Sequence, residues 1–74
     1  MKVEVRLFAT LRDGRDKVLE MEVVENTTVN KILDLLKIGE EDVAILLVNG
    51  KDGKPDTRLC DGDYLSLFPP VGGG

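Results

Sequence analysis

Few residues in this sequence can do chemistry, and most of them stand alone. There is no histidine and only one cysteine, Cys60. Without histidine, Ser-His and Cys-His nucleophilic catalysis lacks its base, and the usual Cys/His zinc spacings cannot be assembled. A lone cysteine cannot close an intramolecular disulfide. Cys60 precedes a turn and reads as a small, partly buried apolar residue without a chemical role. Asp61 and Asp63 flank Gly62, but the further ligands of a calcium loop are missing, so the trio reads as a tight turn. What remains is the run Phe68-Pro69-Pro70-Val71-Gly72-Gly73-Gly74 and the carboxylate that ends it. A terminal carboxylate is ionised at neutral pH and is a poor electrophile, so acyl chemistry at Gly74 requires activation by another protein.

The tail is suited to such delivery. Glycines without side chains can thread a narrow channel. Extended, Val71 to Gly74 reaches roughly 14 Å at ~3.5 Å per residue. Ordering those residues costs about 1–2 kcal/mol each, which contacts elsewhere must offset. Pro69 and Pro70 lower that cost by stiffening the base of the tail. On composition alone, a run of three glycines reads equally well as an incidental flexible tail or expression scar and as a working end.

Size and charge narrow the alternatives. A chain of 74 residues, 42% of them apolar, makes one domain that buries roughly 60% of its unfolded surface. Such a core is too thin to wall a deep active-site cleft. The net charge of −4 disfavours nucleic acid, whose binding depends on clustered Lys and Arg, and suits a basic protein surface instead. Glu20, Glu22, Glu25, Glu40, Glu41 and Asp42 read as a solvated face. No apolar run approaches the ~20 residues of a membrane span. Met1 leads into strand-like alternation and not into a signal peptide, so the expected location is cytoplasmic.

The elements that must position the tail follow from periodicity. From Lys2 to Ala9, Val3, Val5 and Leu7 alternate with Lys2, Glu4, Arg6 and Phe8, the pattern of a half-buried strand. Arg12 to Asp16 supplies a turn, and Leu19, Met21 and Val23 alternate in a hairpin partner. Val29, Ile32, Leu33 and Leu36 form the stripe of an amphipathic helix, with Thr28 as N-cap and Gly39 as its stop. The apolar run from Val43 to Val48 predicts a strand buried on much of both faces, closed by a turn at Asn49-Gly50. Asn49 to Asp56 predicts a loop or a short edge strand. Tyr64 to Phe68 alternates again, with Leu65 and Leu67 on one side, and Pro69 and Pro70 end it. One mixed sheet covered on one face by one helix satisfies this order.

The order and several motifs resemble a known family. Leu7-Phe8-Ala9-Thr10-Leu11-Arg12, Leu59-Cys60-Asp61-Gly62-Asp63 and the Phe68-to-Gly74 ending resemble the ubiquitin-like sulfur carriers of the MoaD and ThiS type, over the whole chain. The Pro-Pro pair favours the MoaD branch, the small subunit of molybdopterin synthase. The resemblance implies an α+β fold, the β-grasp: a mixed sheet of four or five strands under one main helix, spanning residues 1–70, with 71–74 as a flexible glycine tail. It implies that an adenylyltransferase of the ubiquitin-activating (MoeB/ThiF-like) type uses ATP to form an acyl adenylate on Gly74. A sulfur nucleophile then displaces AMP to leave a thiocarboxylate. The carrier itself binds no cofactor or metal, and it is not a catalyst alone; a larger, MoaE-like subunit is expected to take up the sulfur for molybdenum or tungsten cofactor synthesis.

The same resemblance places the first and last strands side by side and parallel, which brings Phe8 and Phe68 together on the face away from the helix. With Pro69 and Pro70 they are expected to form an apolar docking patch, and Val71, Gly72 and Gly73 to follow Gly74 into the partner. Arg12 suits either a partner carboxylate or simple solvation. Three functions remain open: a sulfur carrier for molybdopterin or for the thiamine thiazole, a modifier joined to target lysines through Gly74, and an interaction module whose glycines are incidental.

Overall fold

A computed structural model of the chain describes residues 1–70. Val71, Gly72, Gly73 and Gly74, and with them the expected flexible tail, lie outside the described residues.

The two alternating segments at the start become strands β1 (Lys2–Leu7) and β2 (Val18–Glu22), paired antiparallel with Val3 opposite Met21 and Val5 opposite Leu19. Helix α1 (Val29–Leu36) follows, then β3 (Ile45–Val48), β4 (Lys51–Asp52) and β5 (Tyr64–Phe68). The strand order is β2-β1-β5-β3-β4, with β1 and β5 parallel at the centre and the other pairs antiparallel. Val3, Val5 and Leu7 of β1 and Leu65 and Leu67 of β5 share one buried cluster with Val29, Ile32 and Leu33 of α1. A single helix therefore covers a single face of a five-stranded mixed sheet, and the fold is the expected α+β β-grasp.

Thr28 caps the helix, its hydroxyl accepting from the Lys31 N–H at 3.3 Å. The helix stops before Gly39. Lys37 takes the left-handed conformation at φ 59°. The Ile38 N–H then returns to the Leu33 carbonyl at 2.9 Å and the Lys37 N–H to that of Asp34 at 3.1 Å. This is the Schellman pattern with its apolar contact, since Ile38 and Leu33 are both buried. Ile38 has to reach the core, and only an early turn delivers it.

Two further differences from the sequence expectation have the same kind of cause. Strand β3 is not buried on both faces: Leu46 and Val48 pack against the core, whereas Ile45 is 51% exposed. With one helix there is nothing to cover the second face. Cys60 is exposed, not partly buried, because the neighbouring Leu59 takes the place in the core.

The end of the sheet far from the tail is fixed by hydrogen bonds. Asp63 accepts from Cys60 N–H and from Asn49 Nδ2, each at 2.8 Å, and Asn49 Oδ1 accepts from Tyr64 N–H at 3.0 Å. Asp61 accepts from Lys2 N–H at 2.7 Å. The Asp61-Gly62-Asp63 turn so ties the starts of β1 and β5 to the end of β3, and Gly62 supplies the φ of 86° that it needs. Asn49 and Gly50, at φ 54° and 81°, close the β3–β4 hairpin in two residues.

Candidate functional site

At the opposite end of the sheet, β1 and β5 run out in the same direction and deliver two aromatic residues together. Parallel pairing sets Leu7 beside Leu67, and the Phe8 N–H donates to the Leu67 carbonyl at 3.2 Å. One residue on, Phe8 and Phe68 stack on the uncovered face with ring centroids 4.2 Å apart and 11° between planes. Both are half-buried. Pro69 and Pro70 continue directly from Phe68, so the last described residues leave the domain at the edge of this stack.

The segment after Phe8 holds the stack in place. Ala9 adopts φ 52°, a conformation costly for a residue with a side chain, and turns the chain into a single turn of 3-10 helix, Ala9–Arg12. Leu11 anchors that turn in the core at 6% exposure. Arg12 then folds back: its Nε donates to the Leu7 carbonyl at 2.8 Å, and its guanidinium carbon lies 5.5 Å from the centre of the Phe8 ring. The motif from Leu7 to Arg12 thus supplies one strand end, one stacking ring, one core anchor and one cation over that ring.

Two residues that the sequence reasoning did not place at this site belong to it. Ile45 is the cross-strand partner of Phe68, and Leu47 that of Ser66, on the same uncovered face. The signal for them was available. In a sheet with one helix, alternate members of the run Ile45-Leu46-Leu47-Val48 must face outward. Further along this face, the Arg6 guanidinium lies 4.1 Å from the centre of the Tyr64 ring and hydrogen-bonds Glu4. On the other side of the exit is a small polar cleft lined by Thr10, Arg15, Lys37, Asp42, Pro69 and Pro70.

Of the residues expected to act, the structure stacks Phe8 on Phe68, and Pro69 and Pro70 follow Phe68 in the chain and line the polar cleft; Val71, Gly72, Gly73 and Gly74 are outside the described residues. Among the described residues no three His, Cys, Asp or Glu side chains are grouped to hold a metal ion, and no helix is long and apolar enough to cross a membrane. The arrangement offers an apolar platform, a cation on its rim and an exit for a chain.

Fold and exit together define a ubiquitin-like β-grasp protein. The chain belongs to the ThiS family, whose sequence profile matches residues 5–74. It is 32% identical to small archaeal modifier protein 3 of Haloferax volcanii, with the whole of both chains covered. The putative molybdopterin converting factor subunit 1 of Pyrococcus furiosus superposes with a TM-score of 0.79 at 33% identity, covering 96% of this chain and 99% of that one. Subunit 1 in the complex of molybdopterin converting factor subunits 1 and 2 from Helicobacter pylori superposes with a TM-score of 0.69 at 29% identity over the full length of both. That Helicobacter structure is of subunit 1 together with a second subunit.

Proposed function

We propose that this chain is a sulfur carrier whose Gly74 carboxylate is adenylated by a MoeB/ThiF-like partner at the expense of ATP and then converted to a thiocarboxylate. The thiocarboxylate donates its sulfur to a pterin precursor inside a larger, MoaE-like subunit in the cytoplasm, and the carrier supplies no catalytic group of its own. The observation that carries this proposal is the Phe8–Phe68 stack beside the Pro69-Pro70 exit. An apolar patch at the root of a glycine tail offsets the entropy of ordering that tail in a partner's channel. The likeness to converting-factor subunits, one of them in complex with its second subunit, supports the molybdopterin branch over the thiazole branch.

A second function has its own support. The Haloferax relative is a small archaeal modifier protein, and conjugation to lysines needs the same activated Gly74. The two separate by mass. After incubation with ATP, a sulfur source and the activating enzyme of the same cell, replacement of one oxygen by sulfur at Gly74 is expected for the carrier. Branched peptides ending in Gly73-Gly74 on target lysines identify the modifier instead. Loss of Gly73 and Gly74 is expected to abolish both, and full activity after that deletion would sink both.

A further inference from the structure

The edge strand β2 carries a combination of free backbone groups, apolar side chains and charge that the tail-centred function does not use. Its ladder to β1 is closed by hydrogen bonds from Leu7 N–H to the Lys17 carbonyl and from Val23 N–H to the Met1 carbonyl, both at 2.8 Å. In an antiparallel pair this register turns the backbone groups of Lys17, Leu19, Met21 and Val23 toward β1 and those of Val18, Glu20 and Glu22 outward. No strand lies beyond β2 among the described residues. The outward N–H and C=O groups therefore stand ready for another strand.

The two faces flanking this edge differ. Toward the helix, Leu19 and Met21 are only partly covered, and a groove runs between β2 and α1 past Leu19, Leu36 and the half-exposed Leu35. Toward the open face, Glu20 lies directly opposite Glu4, and Glu22 opposite Lys2. Arg6 hydrogen-bonds Glu4 and the Met1 amino group pairs with Glu22 at 3.3 Å, whereas no ion pair forms at Glu20 among the described residues, so Glu20 is the uncompensated charge of this edge. A second copy of this chain fits the edge poorly, because antiparallel pairing centred on Glu20 would set like charges against each other.

We propose that β2 is a strand-addition site for an extended segment of another protein in which Lys or Arg alternates with apolar residues. The basic side chains lie over Glu20 and Glu22, the apolar ones over Leu19, Met21 and the α1 groove, and the backbone pairs with Val18, Glu20 and Glu22. The start of the groove, at Arg15, Asp16 and Lys37, carries a net positive charge, so the added strand is centred on the glutamates and not on Val18. Pairing here leaves the Phe8–Phe68 end of the sheet free.

The test uses the 15N-labelled full chain and two capped synthetic peptides, acetyl-KVKIKVK-amide and acetyl-EVEIEVE-amide. The lysine peptide is expected to shift the amides of residues 18–22 and to slow hydrogen exchange at Val18, Glu20 and Glu22 at least tenfold. The glutamate peptide is expected to do neither. Glu20→Pro removes an outward N–H from an edge strand, where proline is tolerated. With the fold verified by circular dichroism, it is expected to weaken binding of the lysine peptide at least tenfold, and Glu20→Gln to weaken it less. The proposal is overturned by any of four results: no shift at millimolar peptide, equal shifts with both peptides, shifts confined to Phe8, Ile45 and Phe68, or unchanged affinity in the proline variant.

Discussion

The two faces of the sheet are built from the same strands and have opposite fates. On the covered face, Leu65 and Leu67 of β5 are fully buried against Val5, Leu7 and the helix. On the other face, the alternate residues of those strands are Tyr64, Ser66 and Phe68 of β5, Arg6 of β1, and Ile45, which is half exposed. One face is apolar because the fold needs it. The other carries aromatic and aliphatic side chains that the fold covers only in part, and Phe8, Ile45 and Phe68 among them gather at the end of the sheet that leads into Pro69 and Pro70. Stability and docking thus occupy residues one position apart, which makes them separable by substitution.

The largest expected effect tests the covered face. Leu67→Ala removes a fully buried side chain and is expected to destabilise the domain by about 3 kcal/mol or more. That is a large share of the stability of so small a core. Urea unfolding followed by circular dichroism measures it. Its neighbour Phe68→Ala, on the open face, is expected to cost about 1 kcal/mol in stability while weakening binding to the activating enzyme or the larger subunit at least tenfold. If both substitutions lower stability equally and neither changes affinity beyond that loss, the division between the faces fails.

The hydrogen-bonded end of the sheet gives the next effect. Asp63→Ala removes the acceptor for Cys60 N–H and Asn49 Nδ2 and is expected to cost about 2 kcal/mol. Because this turn lies at the far end of β5 from Phe68, affinity for the partner is expected to stay within about twofold for the folded fraction. A parallel loss of affinity, measured by calorimetry, would mean that the two ends of β5 are coupled.

How much of this was legible in the sequence differs between the faces for the same reason. The covered face repeats one rule, apolar at every second strand position and at i, i+3, i+4 along the helix. The segments of Val3, Val5 and Leu7, of Ile32 and Leu33, and of Leu65 and Leu67 could be read directly. The open face obeys no local rule. Its apolar members Ile45 and Leu47 sit in a run that fits two-sided burial equally well, and only the count of helices decides between them. Phe8 with Phe68 was legible only through the family resemblance, which supplied the parallel pairing of two strands far apart in sequence. Cys60 and the helix stop expected at Gly39 were misjudged because the surroundings of Cys60 and the turn at Lys37 are set by Leu59 and Ile38, neighbours that compete for the core.

A smaller effect measures how the patch itself is assembled. Phe8 and Phe68 stack at 4.2 Å, and a double-mutant cycle on folding with Phe8→Leu and Phe68→Leu is expected to give a coupling of about 0.5–1.5 kcal/mol. Arg12→Met keeps the bulk over Phe8 but removes the cation and the bond to the Leu7 carbonyl. It is expected to lower affinity for the partner more than it lowers stability. The reverse order would make Arg12 a structural brace for the stack and remove it from the docking surface.

The smallest effect separates the faces from the other direction, by improving one of them. Lys37 occupies a left-handed position at φ 59° that glycine adopts without steric cost, and the turn it makes carries Ile38 into the core. Lys37→Gly is therefore expected to raise stability by about 0.5 kcal/mol, the relief of the strained backbone being partly offset by the greater freedom of glycine in the unfolded chain. Lys37 also lines the polar cleft beside Pro69 and Pro70, so the substitution has a second readout. Unchanged affinity for the activating enzyme confines docking to the Phe8–Phe68 side of the exit. Weakened affinity despite a more stable fold would extend the docking surface around the exit to the cleft, and the contrast would then lie between the tail end and the hydrogen-bonded end of the sheet, with both of its faces contributing.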